Sequence, residues 1–210
     1  MKTSKGPVDS TRMSRVVRGG FPDRQFDVDF WQLQGDRAIF SAAWEMVEFA
    51  EAFKGTHVQL RPDYKDFLRL LNKNEVEYLI VGGYAVMKYT EPFYTKDMDI
   101  WIDATPDNAR RTYQALIEFG APLSDLTEHD LTQQQIVFQF GMAPARVDVM
   151  TSIDGVDFSD AWKQRVRTEL DDIPISVNSL KHLKQNKQTS NRDSDRMHLA
   201  RLAKYGTETD

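Results

Sequence analysis

Residues 78–103 read YLIVGGYAVMKYTEPFYTKDMDIWID, and the succession of textures within them decides the fold. The apolar run at 76–81 has the length of a buried strand, and Gly82-Gly83 ends it. Residues 84–89 leave room for a short helix. Residues 97–102, DMDIWI, begin by alternating acid and hydrophobe, the period of a strand. Side chains at i and i+2 leave the same face of a strand. Asp97 and Asp99 therefore stand side by side, while Met98 and Ile100 enter the core. Two carboxylates so close repel, and burial raises their pKa values. A strand that carries such a pair calls for a cation. Mg²⁺ fits, because it takes oxygen ligands through one or two carboxylates plus substrate phosphates.

A third acid, Asp148, lies in RVDVM at residues 146–150, between Val147 and Val149. If this strand runs beside the first, three carboxylates converge. Such a cluster can hold two ions roughly 3.5–4 Å apart, as in-line phosphoryl displacement requires. Gly82 and Gly83 end one element and open the next, so their backbone N–H groups can approach a phosphate closely. Taken singly, a Gly-Gly is a turn and an Asp-x-Asp is the wet side of a strand. The order is what carries information: strand, Gly-Gly, short helix, a strand with Thr95, Asp97 and Asp99, then a third acid on a later strand. VGGYAV lacks the G-x-G-x-x-G spacing of a dinucleotide-binding turn.

Outward from this stretch, residues 1–25 are rich in Arg, Lys, Ser, Gly and Pro and show no apolar period, which predicts a flexible basic arm. Residues 26–58 form a helical extension. Its helix spans 36–54, with Ile39, Ala43, Met46, Ala50 and Phe53 at steps of three and four and Gly55 as the stop. A further helix starts near Pro62 and gathers Tyr64, Phe67, Leu68 and Leu71 on one face. Residues 106–119 have helical spacing; 135–140, 146–150 and 173–177 read as strands; 179–205 read as two helices around a break at 188–191. The core thus occupies 59–178 and the C-terminal helices 179–210. Strands and helices mix without strict βαβ alternation, so the predicted class is α+β, a small mixed sheet flanked by helices.

Composition bounds the rest. The 40% hydrophobic and 28% charged content is that of a globular chain. No apolar run reaches the roughly 18–20 residues that span a bilayer, and the basic N-terminus has no apolar stretch behind it of the kind a secretory signal carries. No membrane partner is expected, and the cytoplasm is the expected compartment. With no cysteine, disulfides, thiolate metal sites and cysteine nucleophiles are excluded. Net charge is −5, yet residues 181–204 hold seven Lys and Arg against two Asp, a basic end suited to a polyphosphate or an RNA backbone.

Residues 78–103 resemble the signature of the DNA polymerase β-like nucleotidyltransferases, most closely the small bacterial branch that includes the AbiEii-type toxins. The tail VNSLKHLKQNKQTSNRDSDRMHLARL is similar to that branch's C-terminal helices, so the resemblance covers about residues 60–204. It implies a polymerase β-like fold and transfer of an NMP from an NTP, ATP foremost, with Mg²⁺ or Mn²⁺. It also implies site roles. Gly82 and Gly83 would hold the triphosphate, Asp97 and Asp99 the metal, and Asp148 would complete the metal site and activate the acceptor hydroxyl. Thr95 matches a threonine common before the acids, and Lys187 would reach the triphosphate. Arg192 and Asp195 match a following arginine and acid, whereas His198 departs from the acid expected there. The acceptor stays open: an RNA 3′ end, above all tRNA, as in a toxin–antitoxin or phage-defence component; a protein hydroxyl; or an antibiotic. A catalytically inactive, partner-binding member of the fold is a further alternative. Residues 26–58 resemble, more weakly, a companion protein of such enzymes, which implies an antitoxin-like partner function or self-association there.

Overall fold

In the computed structural model, the residues described are 13–19, 28, 62–91, 93, 95, 97–142 and 145–205. Among them run seven strands and six helices. The strands are β1 (Met13–Arg18), β2 (Tyr78–Ile80), β3 (Asp97–Ile102), β4 (Ile136–Met142), β5 (Ala145–Met150), β6 (Val166–Leu170) and β7 (Ile173–Val177). The helices are α1 (Pro62–Lys73), α2 (Gly82–Tyr89), α3 (Pro106–Phe119), α4 (Phe158–Lys163), α5 (Leu180–Ser190) and α6 (Asp193–Tyr205). All seven strands join one sheet in the order β1-β4-β5-β3-β2-β7-β6. Pairing is antiparallel except at β3–β5 and β2–β7, which are parallel. The mixed sheet and its helices are the α+β class expected.

Period-two alternation divides the sheet into two faces. Tyr78, Ile80, Met98, Ile100, Ile102, Phe138, Phe140, Val147 and Val149 point to one side. There they pack against Tyr64, Phe67, Leu68 and Leu71 of α1 and against apolar residues of α2, α3, α5 and α6. Leu79, Val81, Trp101, Val137 and Met150 point to the other side, covered by Ala161, Phe158 and Trp162 of α4. The two aspartates of β3 share this second face with Trp101. Because α4 is short, the cover stops at one end of the sheet, and the acids lie beyond it.

Several elements differ from expectation. Residues 13–18 belong to the segment expected to be a flexible arm, yet they form β1, antiparallel to β4 over six residue pairs from Met13↔Gly141 to Arg18↔Ile136. Val16 packs on the main core and Val17 on the second cluster, so two valines in a basic stretch suffice to seat an edge strand. The run at 76–81 yields only three strand residues. Val76 is drawn back by its N–H to Leu71 O at 3.0 Å, and Asn108 clamps both backbone groups of Glu77. Helix α4 and strand β6 were not foreseen from the sequence. α4 has only six residues, capped by Asp157, whose carboxylate accepts from the N–H groups of Ser159 and Asp160. The β6–β7 turn places Asp171 and Asp172 at φ 54° and 62°, where Asn-Gly is the usual signal. Between α5 and α6 the chain turns at Asn191, φ 47°, the last residue of the break expected at 188–191, and α5 runs on through Ser190. The remainder of the basic arm and nearly all of the helical extension at 26–58, including the helix expected at 36–54, lie outside the described residues.

Candidate active site

The register of three strands sets the acids. In the parallel β3–β5 pair Asp99 stands opposite Asp148, and Asp97 opposite Arg146. All four side chains leave the same face, because 97, 99, 146 and 148 are even steps apart. Asp148 is buried, with 2% exposure, and both of its oxygens are held. Arg146 Nε donates to its Oδ1 at 2.8 Å, and Gln139 Nε2 donates to its Oδ2 at 2.9 Å. Arg146 also forms an ion pair with Asp97 through Nη2. Tyr64 of α1 anchors this strand, its Oη donating to Arg146 O at 3.0 Å.

Asp99 is the acid that faces open space. Desolvation, and then the charge of Asp148, push its pKa up to about 6, against the pull of Lys187, Arg192 and the Gly83 N–H. Desolvation likewise raises Asp148, opposed chiefly by Arg146. The glycine pair is built around these acids. Gly82 has φ +61°, and a Cβ there would lie 1.8 Å from Asp99 Oδ2. A Cβ on Gly83 would lie 2.8 Å from Thr95 Oγ1, and Thr95 Oγ1 in turn donates to Asp97 Oδ1 at 3.1 Å. Both glycines thus admit the close approach of the loop before β3, and the Gly83 N–H faces the Asp99 carboxylate.

Across the opening stand the C-terminal helices. A cleft of about 130 Å³ is lined by Val81, Gly82, Asp99, Asp154, Lys187 and Arg192, among others. Asp195, 1% exposed, gathers its cationic wall. It accepts from Lys187 Nζ at 2.7 Å, Ser190 Oγ at 2.7 Å and the Arg192 backbone N–H at 3.2 Å, and it forms an ion pair with Arg192 Nε. These partners hold its carboxyl below the usual range. The loop after β5 is stitched to α5. Asn186 Nδ2 donates to Asp154 O at 3.0 Å, and Gly155, at φ +74°, packs so close to Thr189 that a Cβ would meet its Oγ1 at 2.3 Å. Arg192 Nη2 lies 3.9 Å from Asp154 Oδ2.

Of the seven residues singled out from the sequence, Gly82, Asp99 and Lys187 line this cleft, Asp148 stands beside Asp99 on the neighbouring strand, and Thr95 packs on Gly83 and bonds to Asp97. The expected convergence of three carboxylates is modified by Arg146. Among the described residues no group of three or more His, Cys, Asp or Glu is arranged to hold a metal ion. The donor set still suits a hard divalent cation. The Asp99 carboxylate lines the cleft, and Asp97 stands two residues away on the same strand face, so both offer the oxygen ligands such an ion takes. Arg146, Gln139 and Asp195 received no site role from the sequence. Arg146 was findable, since it lies two residues before Asp148 on the same strand face. Gln139 was not, because only the β4–β5 register brings it to Asp148.

No protein-family model and no curated protein matches the sequence. Solved structures similar to it in fold include the following three. One is the lincosamide antibiotic adenylyltransferase LnuA with lincomycin bound, 15% identical over 69% of this chain and 96% of that one, with a TM-score of 0.46. Another, from Thermotoga maritima, is described as a nucleotidyltransferase and is 18% identical over 71% of this chain and 97% of that one, with a TM-score of 0.48. The third is ANT(2″)-Ia in complex with adenylyl-2″-tobramycin, 13% identical over 67% of this chain and 93% of that one, with a TM-score of 0.38.

Proposed function

We propose that this protein is a nucleotidyltransferase that moves an NMP from an NTP, ATP foremost, to an acceptor hydroxyl. One observation carries the proposal: the Asp97/Asp99 pair of β3 lies beside Asp148 of the parallel strand β5, at a cleft whose far wall holds Lys187 and Arg192. Acids on one wall and cations on the other suit a magnesium–triphosphate, which carries both signs of charge. Asp97 and Asp99 would hold Mg²⁺ or Mn²⁺, with Asp148 alongside. When bound, the ion neutralises phosphate charge and draws the triphosphate to the acids.

The chain's own groups supply the rest. Gly82 and Gly83 keep the N-terminus of α2 free of side chains, so phosphate oxygens can approach its N–H groups. Lys187 and Arg192, oriented by Asp195, bind the phosphates that depart. Asp148 accepts the proton of the acceptor hydroxyl. The acceptor oxygen then bonds to the α-phosphorus, the bond from that phosphorus to the α–β bridging oxygen breaks, and pyrophosphate leaves with the electron pair. Little covalent chemistry is asked of the protein, so the rate depends on positioning and charge.

An RNA 3′ end, tRNA above all, is the favoured acceptor. Lys181, Arg196 and Lys204 are exposed on α5 and α6, so these helices carry basic surface suited to an RNA backbone. A toxin–antitoxin or phage-defence role in the cytoplasm, with a partner or second copy docking at 26–58, belongs to the same proposal. A small hydroxyl compound is the second reading, supported by the lincomycin and adenylyl-tobramycin held in two of the similar structures. The test is incubation with Mg²⁺ and each α-labelled NTP, in the presence of tRNA, total RNA, protein lysate, lincomycin or tobramycin. Label on RNA supports the favoured acceptor. Label on an antibiotic or a protein band replaces it, and transfer to none of them by protein that also binds no NTP would end the nucleotidyltransferase assignment.

A further inference from the structure

We propose that Arg15, on the edge strand β1, is a positioning residue for the transfer site: it fixes the Gln139 side-chain amide, which in turn fixes the Asp148 carboxylate. This rests on the nucleotidyltransferase proposal for its effect on turnover, although the relay itself is a matter of geometry. Four residues stand in one row across four strands. Arg15 is opposite Gln139 in the β1–β4 register, Gln139 is opposite Asp148 in β4–β5, and Asp148 is opposite Asp99 in β5–β3.

The hydrogen bonds along this row have one consistent direction. Arg15 donates twice to Gln139 Oε1, from Nη2 at 2.8 Å and from Nε at 3.2 Å. An amide whose oxygen is held by a guanidinium must turn its NH₂ the other way. That NH₂ meets Asp148 Oδ2 at 2.9 Å, while Arg146 Nε holds Oδ1 at 2.8 Å. The carboxylate is thereby clamped at both oxygens in one rotamer. Gln139 and Asp148 are each only 2% exposed, so water cannot readily replace a lost donor. Without Arg15 the Gln139 oxygen loses two charge-assisted bonds, the amide gains freedom to rotate, and Asp148 loses a fixed partner. In this arrangement β1, which precedes the core, supports an acid of the transfer site.

The experiment uses the full-length protein and four variants: Arg15→Ala, Arg15→Lys, Gln139→Leu and the double variant Arg15→Ala/Gln139→Leu. In the label-transfer assay Arg15→Ala should lower kcat by about ten- to a hundredfold and leave the KM for NTP within about twofold. Arg15→Lys should recover most of the loss, and the double variant should be no slower than Gln139→Leu alone. Unchanged kcat in Arg15→Ala, or losses that multiply in the double variant, would overturn the relay. So would a fall in kcat that only tracks a lower melting temperature. A second readout needs no turnover. With ¹⁵N-labelled glutamine, the Gln139 NH₂ signal, identified by its loss in Gln139→Leu, should exchange slowly with solvent in the native protein and at least about tenfold faster in Arg15→Ala. Equal exchange in both would overturn the relay. An Arg15-dependent amide in a protein that transfers no label and binds no NTP would instead overturn the functional proposal and leave the relay standing.

Discussion

A methyl group at position 82 would lie 1.8 Å from the Asp99 carboxylate on a backbone with φ +61°, so Gly82 carries both a steric and a conformational requirement. Gly82→Ala should therefore cost about 2 kcal/mol or more, read as a fall in urea midpoint, and should abolish transfer even where the protein remains folded. Asp99 makes the opposite trade. Its pKa, raised from 3.8 to about 6, means that the folded state holds the proton more tightly than the unfolded one. Without metal, stability is lost as pH rises from about 4 to 6, and the full penalty is present above 6. Asp99→Asn removes it. The metal-free variant should be more stable to unfolding than the wild type at pH 7.5, by on the order of 1–3 kcal/mol, and the gap should close below pH 4. A lower melting temperature at pH 7.5 would mean that Lys187, Arg192 and the Gly83 N–H already compensate the charge. The acids themselves were legible in the sequence because period two is a local property: Asp97 and Asp99 had to share a face wherever the strand lay. Arg146 between Asp97 and Asp148 was hidden by the same logic applied too narrowly, with only carboxylates counted on that face.

Elements were legible in proportion to their own hydrophobic period. α1, α3 and β3 declare themselves through runs such as Tyr64, Phe67, Leu68 and Leu71, all buried as their spacing required. β1 did not, since Val16 and Val17 are seated by contacts with β4, more than a hundred residues away. β6 was hidden by its alternating half-exposed pattern and by a turn with two aspartates at positive φ. Relaxing one of them, Asp172→Gly, should stabilise the protein by up to about 1 kcal/mol, measured as a rise of a few degrees in melting temperature. An unchanged or lower value would show that the Asp172 side chain contributes more than its backbone costs. At α6, His198 stacks on Phe93 with ring centroids 5.3 Å apart, and its buried Nδ1 has no hydrogen-bond partner among the described residues. Burial, then the charge of Lys187, pull its pKa down to about 4. The fold therefore favours the neutral ring. The stability this supplies is complete above about pH 6.5 and is lost as pH falls towards 4. His198→Leu should flatten the melting temperature between pH 7 and 5, where the wild type should decline.

For the molecule as a whole, one sheet joins β1 from before the core to β5 and β3 at its centre, and the loop at 151–157 ties β5 to α5. The C-terminal helices close the other side of the cleft through Asp195. No described helix is long and apolar enough to cross a membrane. The mixed α+β order was legible from the succession of strand and helix textures. The strand order β1-β4-β5-β3-β2-β7-β6 was not, since it depends on pairings between distant segments that no local pattern encodes. Those pairings put Asp97, Asp99 and Asp148 on one face of neighbouring strands, and Lys187 and Arg192 line the cleft with Asp99; the proposed function depends on that assembly more than on any single group. The most direct test is transfer of label from α-³²P ATP to tRNA by the wild-type protein with Mg²⁺, beside Asp97→Asn. The account predicts Mg²⁺-dependent label on the acceptor from the wild type, with pyrophosphate released in equal amount, and a loss of at least about a thousandfold in a variant that melts at the same temperature. Equal transfer by both proteins would contradict it.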